Sequence, residues 1–216
     1  MPERLARHTL VWLSAEADWQ ADVAAHEARL TAWFARGFPA VVARRTASDP
    51  DPRLRLGVPL PPDEGKQRLS LRVPMQHVVC HQSPLSLRDV ITRLDAHLPD
   101  DWRDALTALD TIRPARVFGA FAWQALTGLS YVHARSDIDL LWTVDDAAQA
   151  DALVARLLAW ESKTGKRVDG ELCLADGGAV NWREYAGDTR QVLVKRIDGA
   201  MLEHRERLFA AQDVAA

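Results

Sequence analysis

Two aspartates, Asp137 and Asp139, stand two residues apart in Ser136-Asp137-Ile138-Asp139-Leu140-Leu141-Trp142, a run that otherwise reads as a buried strand. Alternate residues of a strand project to one face. The two carboxylates are therefore expected to point together, close enough to grip one hard cation. Left un-neutralised they would repel each other, so the pattern asks for a metal or another cation nearby. Asp139, flanked by Ile138, Leu140, Leu141 and Trp142, needs a partner for its charge in any reading.

Upstream lies Phe118-Gly119-Ala120, between a short strand and a helix. A glycine there permits close backbone approach to a ligand, and the free N–H groups at the helix start favour an anion, most often a phosphate. Downstream, Asp169 and Glu171 repeat the two-residue spacing on the next strand. Either is a candidate third acid, able to complete a metal site or to take a proton from an attacking hydroxyl. Asp169 is preferred as the earlier on its strand, but position alone leaves both open. A phosphate seat facing a two-carboxylate seat suits Mg²⁺ holding a polyphosphate substrate.

These residues need elements to carry them. Strands are expected over 8–13, 39–44, 69–73, 116–118, 138–144, 167–174, 179–185 and 191–197, and helices over 18–36, 86–98, 120–129 and 146–163. A further helix is expected to start at Pro99 and a polar one to follow residue 197. Ser86 with Asp89 three residues later has capping-box spacing. Residues 48–66 hold five prolines and read as a loop. Asp176-Gly177-Gly178 reads as a hairpin turn, and the tail 212–216 as frayed. The second half is thus strand–helix–strand–helix followed by an antiparallel meander, a mixed sheet with helices on one side. The fold class is α+β, with a boundary near residues 82–85.

The chain has 216 residues, 48% of them hydrophobic, enough for one large core or two smaller ones. A formal charge of −3 does not favour a nucleic acid polymer or an anionic membrane. No apolar run approaches the roughly 18 residues of a membrane span, and the start, Met1-Pro2-Glu3-Arg4, lacks the apolar core of a signal peptide. Cys80 and Cys173 lack metal-ligand spacing and are expected to be buried, reduced thiols. The expected location is the cytoplasm. Most of the eight tryptophans are expected in the core.

Gly, helix, Asp-x-Asp and a later acid together resemble the nucleotidyltransferase superfamily of the polymerase-β type. A wider set of residues is more specific: Arg113-Pro114-Ala115-Arg116-Val117-Phe118-Gly119, Trp123-Gln124, Leu126-Thr127-Gly128-Leu129, Tyr131, the Asp137 block, Asp169-Gly170-Glu171-Leu172, Asn181-Trp182-Arg183-Glu184 and Val192-Leu193-Val194-Lys195. With Arg7-His8-Thr9-Leu10-Val11-Trp12 and Lys66-Gln67-Arg68-Leu69, this pattern resembles the malonate decarboxylase holo-acyl-carrier-protein synthase family, the phosphoribosyl-dephospho-CoA transferases, over nearly the whole chain. The resemblance implies a polymerase-β-like catalytic domain over residues 84–216, preceded by a small α/β accessory domain over 1–83. It implies that 2′-(5″-triphosphoribosyl)-3′-dephospho-CoA is the donor and a serine of the malonate decarboxylase acyl carrier protein subunit the acceptor. Pyrophosphate leaves and a phosphodiester remains. Asp137 and Asp139 would be the catalytic acids holding Mg²⁺, with Asp169 as the third. Gly119 and Ala120 would seat phosphates, and Arg113, Arg116 and Lys195 are candidates to counter their charge. The superfamily has serine where this chain has Ala120, and a lost charge-assisted contact costs on the order of 1–3 kcal/mol.

Other readings stand beside these. Asp169 and Glu171 could form an exposed hairpin face, Lys195 the wet end of a strand, and Arg113 and Arg116 surface charges. The basic segment Arg53, Arg55, Lys66 and Arg68 reads as solvated, or as a clamp on the donor or an acidic carrier. An NTP-dependent nucleotidyltransferase acting on a protein or small molecule, and a non-catalytic nucleotide-binding relative, are the alternatives in function.

Overall fold

The computed structural model describes residues 5–45, 49–98, 100–133 and 135–210; the chain start read for a signal peptide, Pro99, and the tail expected to fray lie outside them. The chain divides into two compact units. The first comprises Met1–Pro84 with Leu126–Tyr131 and Ile197–Gly199, and the second comprises the rest.

In the first unit the elements run β1 (Leu10–Leu13), β2 (Gln20–Ala21), α1 (Glu27–Ala35), β3 (Ala40–Val42), β4 (Leu54–Pro59), β5 (Arg68–Val73) and β6 (Val78–Gln82). They build an antiparallel sheet in the order β2-β5-β4-β3-β1-β6. Leu69, Leu71 and Val73 alternate inward along β5 and are buried, as are Leu56 and Val58 of β4 and Leu30 and Trp33 of α1.

Two expectations fail here, and one strand, β6, has no counterpart in the sequence reading. The segment 18–26 is not α-helical: Gln20–Ala21 pairs with β5, a 3₁₀ turn follows, and the helix begins at Glu27. Residues 48–66 are not merely loop, because Leu54–Pro59 is a strand lying between β3 and β5. The five prolines flank the alternating run 54–58 rather than interrupt it. β6 has no buried face, so it carries no alternation to read.

In the second unit the order is α2 (Leu87–Leu94), α3 (Asp100–Asp110), β7 (Arg116–Phe118), α4 (Gly119–Thr127), β8 (Ile138–Thr143), α5 (Ala147–Thr164), β9 (Val168–Cys173), β10 (Ala179–Asn181), α6 (Trp182–Ala186), β11 (Gln191–Arg196) and β12 (Gly199–His204). The sheet runs β12-β11-β10-β9-β8-β7. β8 and β9 are parallel, joined through α5, and β7–β8, β9–β10 and β10–β11 are antiparallel. The fold is α+β, as its sequence pattern predicts. Ser86 accepts from the Asp89 N–H at 3.1 Å and caps α2, and Asp146 accepts from Gln149 N–H at 2.7 Å and caps α5.

Two expectations fail in this unit. The strand expected over 179–185 ends at Asn181, whose side chain caps α6. The polar segment after residue 197 is the edge strand β12, not a helix.

Cys80 is exposed and Cys173 half-buried, both as free thiols, so the expected burial does not hold. Tryptophans 33, 102, 123, 142, 160 and 182 are core residues. Among the described residues no helix is long and apolar enough to cross a membrane.

Candidate active site

The second sheet has one apolar face and one polar face, and strand parity assigns every candidate residue on its strands. Ile138, Leu140 and Trp142 of β8, Val117 of β7, Val168 and Leu172 of β9, and Val192 and Val194 of β11 are buried together on the apolar side. The alternating positions form the other face. Register pairs Phe118 with Asp139, and Asp139 with Asp169. One step along, Arg116 pairs with Leu141, Leu141 with Glu171, and Glu171 with Asn181. In-register neighbours share a face, so Asp139 and Asp169 stand side by side on adjacent parallel strands.

Asp137 adjoins this face at the start of β8. β8 begins at Ile138, so Asp137 lies just before the strand rather than on it, and the paired acids on neighbouring strands are Asp139 and Asp169. All three are half-buried.

Two glycines make room for this pair. Gly119 has φ +68°, and a Cβ there would lie 2.7 Å from Asp139 Cγ and nearer still to Oδ2. The close approach that glycine permits at 119 is therefore that of the Asp139 carboxylate. Gly170 has φ +153°, and a Cβ would lie 2.9 Å from the Leu140 carbonyl carbon and the Trp142 ring, nearer still to the carbonyl oxygen. No side chain fits between β8 and β9 at this point.

The two possible third acids have different surroundings. Asp169 Oδ1 accepts from the Gly170 N–H at 2.8 Å and from Asn181 Nδ2 at 2.9 Å, both neutral donors. Glu171 is only 4% exposed and accepts a charged hydrogen bond from Lys195 Nζ at 3.0 Å. Lys195 thus already faces an acid, and Glu171 a base.

Arg116 is exposed on the strand leading to Gly119, on the polar face. The structure does not bring Arg113 to the acids. Its Nε donates to Thr143 O at 2.9 Å and its Nη2 to Gln149 Oε1 at 2.7 Å. Thr143 ends β8, about 13 Å beyond Asp139 at the usual strand rise. Ala120 is the second residue of α4 and retains its backbone N–H.

Two of the four residues of the basic segment in the first unit are paired with acids. Arg53 pairs with Asp51 at 2.7 Å and Arg55 with Asp22 at 3.3 Å.

The carboxylates present suit a particular class of metal. Among the described residues no group of three or more His, Cys, Asp or Glu side chains could hold a metal ion. Mg²⁺ takes one or two carboxylates and completes its shell with waters and substrate phosphates. An open pair, Asp139 and Asp169 with Asp137 adjacent in sequence, fits that habit and does not fit a closed all-protein cage.

Two residues of the site carry no role in the sequence reading. Gly170 is signalled by a glycine inside a strand pattern. Asn181 is signalled only by an asparagine before a short helix.

The family model described as Phosphoribosyl-dephospho-CoA transferase MdcG C-terminal domain matches residues 86–206, and that described as the MdcG N-terminal domain matches residues 6–84. Six curated relatives carry the name phosphoribosyl-dephospho-CoA transferase, and three of them span the range of similarity. That of Xanthomonas campestris pv. campestris (strain 8004) is 53% identical over 208 residues, covering 94% of this chain and 96% of its own. That of Bradyrhizobium diazoefficiens is 38% identical over 214 residues, covering 94% and 92%. That of Pseudomonas fluorescens (strain Pf0-1) is 30% identical over 180 residues, covering 78% and 80%. No solved structure matches.

Proposed function

The chain belongs to the phosphoribosyl-dephospho-CoA transferase family of enzymes, and from that premise we propose that it transfers a triphosphoribosyl-dephospho-CoA-derived prosthetic group to a serine of the malonate decarboxylase acyl carrier protein. The reading places catalysis in residues 84–216, on a polymerase-β-like sheet, with residues 1–83 accessory and the protein working in the cytoplasm. Asp139 beside Asp169 on one sheet face is the observation that carries it.

In this reading the serine oxygen bonds to the α-phosphorus, the bond to the pyrophosphate oxygen breaks, and pyrophosphate departs. Asp169 accepts the serine proton; it is preferred over Glu171 because Lys195 already neutralises the buried Glu171. Asp139 and Asp169, with Asp137 adjoining Asp139 in sequence, would hold Mg²⁺ as an open pair, and the ion when bound neutralises charge on the triphosphate and on the leaving group. The N–H groups at the start of α4, from Gly119 and Ala120, seat phosphate oxygens. Arg116 counters phosphate charge from the same face, whereas Lys195 is engaged by Glu171. Arg113, tied to Thr143 and Gln149, takes no part.

The test is direct. Incubate the protein with Mg²⁺, the triphosphoribosyl-dephospho-CoA donor and apo carrier protein, and weigh the carrier by mass spectrometry. A mass gain equal to the prosthetic group is expected. No gain, with an active relative succeeding in parallel, overturns the reading; gain only with a common nucleoside triphosphate would mark a general nucleotidyltransferase. Asp137→Asn and Asp139→Asn should each lower turnover at least about 100-fold, the scale of losing one charge-stabilising group, with the fold unchanged by circular dichroism.

A further inference from the structure

We propose that Asn181 is a positioning residue for the transfer: its side-chain amide locks the Asp169 carboxylate in one orientation and leaves Oδ2 as the oxygen that meets the reactants. This rests on the reading of Asp169 as a functional acid.

An asparagine side chain has one acceptor oxygen and one donor nitrogen, so its two ends cannot be exchanged without loss. Asn181 Oδ1 accepts from the Arg183 N–H at 2.9 Å and the Glu184 N–H at 3.4 Å, capping α6. Nδ2 must then point the other way, where it donates to Asp169 Oδ1 at 2.9 Å. The Gly170 N–H donates to the same oxygen at 2.8 Å. Any turn short of a half-turn, which merely exchanges the two equivalent oxygens, would forfeit both bonds. Oδ2 accepts no hydrogen bond among the described residues, so it is the oxygen left for chemistry.

The neighbouring residues hold the backbone beneath. Val168 N–H donates to Glu161 Oε1 at 2.8 Å, and Val168 O accepts from Arg183 Nη2 at 2.8 Å and Trp182 Nε1 at 3.3 Å. Three consecutive residues, Asn181, Trp182 and Arg183, therefore grip Val168 and Asp169 from the β10–α6 junction. Of these three only Asn181 touches the carboxylate, and with the Gly170 N–H it sets the rotation. Such outer partners typically matter about 10- to 100-fold for ligand affinity or activity.

Substitutions separate this role from helix capping. Serine caps as well as asparagine but is too short to reach Asp169. Asn181→Ser should keep the melting temperature, lower kcat about 30-fold and leave KM for the donor within about threefold, at the scale of outer-partner losses. Asn181→Ala should show the same kcat and a lower melting temperature. On an Asp169→Asn background, Asn181→Ser should lower kcat no further. Mn²⁺ affinity, measured by water-proton relaxation on the full chain, should fall about 10-fold in Asn181→Ser. A kcat for Asn181→Ser within threefold of wild type, or a full further loss on the Asp169→Asn background, overturns the proposal. Should the wild type transfer nothing, the reading of the activity fails; the Mn²⁺ comparison then decides, and equal affinity in Asn181→Ser and wild type overturns the positioning role.

Discussion

Two aspartate sites, one in each unit of this chain, are held in opposite ways. In the first unit, Arg72 bonds Asp49 at 2.8 Å and reaches Asp22 and Asp51, while Arg53 bonds Asp51 at 2.7 Å. Hydrogen bonds from Arg72 hold the Asp49 carboxyl below the usual carboxylate range, and those from Arg53 do the same for Asp51. In the second unit, Asp169 is held by a backbone N–H and an amide. Opposite charge beside a carboxylate consumes its field locally, whereas a neutral donor fixes its geometry and leaves the charge available to a cation. The first arrangement ties β2, β4 and β5 to the loop before Arg53; the second keeps an acid ready for a metal or a proton.

Their glycines differ in the same sense. At Gly57, central in the first sheet, an added Cβ would meet the flexible Arg68 side chain at 3.5 Å, an ordinary contact. At Gly170 it would meet backbone. Gly170→Ala should therefore destabilise the second unit by at least about 3 kcal/mol through strain and overpacking, with turnover lost. Gly57→Ala should change stability by less than about 1 kcal/mol. Urea unfolding of both variants measures the contrast, and equal effects would break it.

Removing the arginine that joins the first unit's acids should come next. Arg72→Ala should lower stability by about 1–2 kcal/mol, the scale of hydrogen bonds to charged groups, without altering transfer. The pH dependence has a defined sign. Asp49 and Asp51 titrate lower in the folded chain than in the unfolded one. Their stabilisation is complete above the ordinary aspartate value of about 3.9 and is lost as pH falls through the lowered folded values. Hydrogen-exchange protection factors, corrected for the intrinsic rate, should fall in residues 54–59 and 68–73 below about pH 4, and Arg72→Ala should flatten that dependence.

The smallest contrast concerns caps. In the second unit Ser86, Asp146 and Asn181 cap α2, α5 and α6 with their side chains, whereas His26 at the start of α1 makes no such bond. Ser86→Ala should cost about 1 kcal/mol, and His26→Ala should show no capping loss in thermal unfolding.

Elements with a local signature were legible in advance. The Ser86–Asp89 spacing, the amphipathic run of α5 and the alternation of β5 each report a condition that a few neighbouring residues satisfy by themselves. Elements without one were not. β2, β6 and β12 are edge strands, defined by the strand they pair with rather than by an alternating pattern of their own. α6 was hidden because Asn181 ends β10 and starts the helix at once.

The site divides along the same line. Sequence by itself determined which carboxylates exist, that Asp169 and Glu171 share a face, and that an apolar face lies beneath them, because side-chain parity is local to each strand. Only the tertiary structure decided that Asp139 stands beside Asp169, that Lys195 answers Glu171, that Arg113 is bound at the far end of β8, and that Asn181 reaches Asp169. The physical reason is register: the pairing of strands thirty residues apart is set by how their whole apolar faces pack, and no short stretch of chain encodes it.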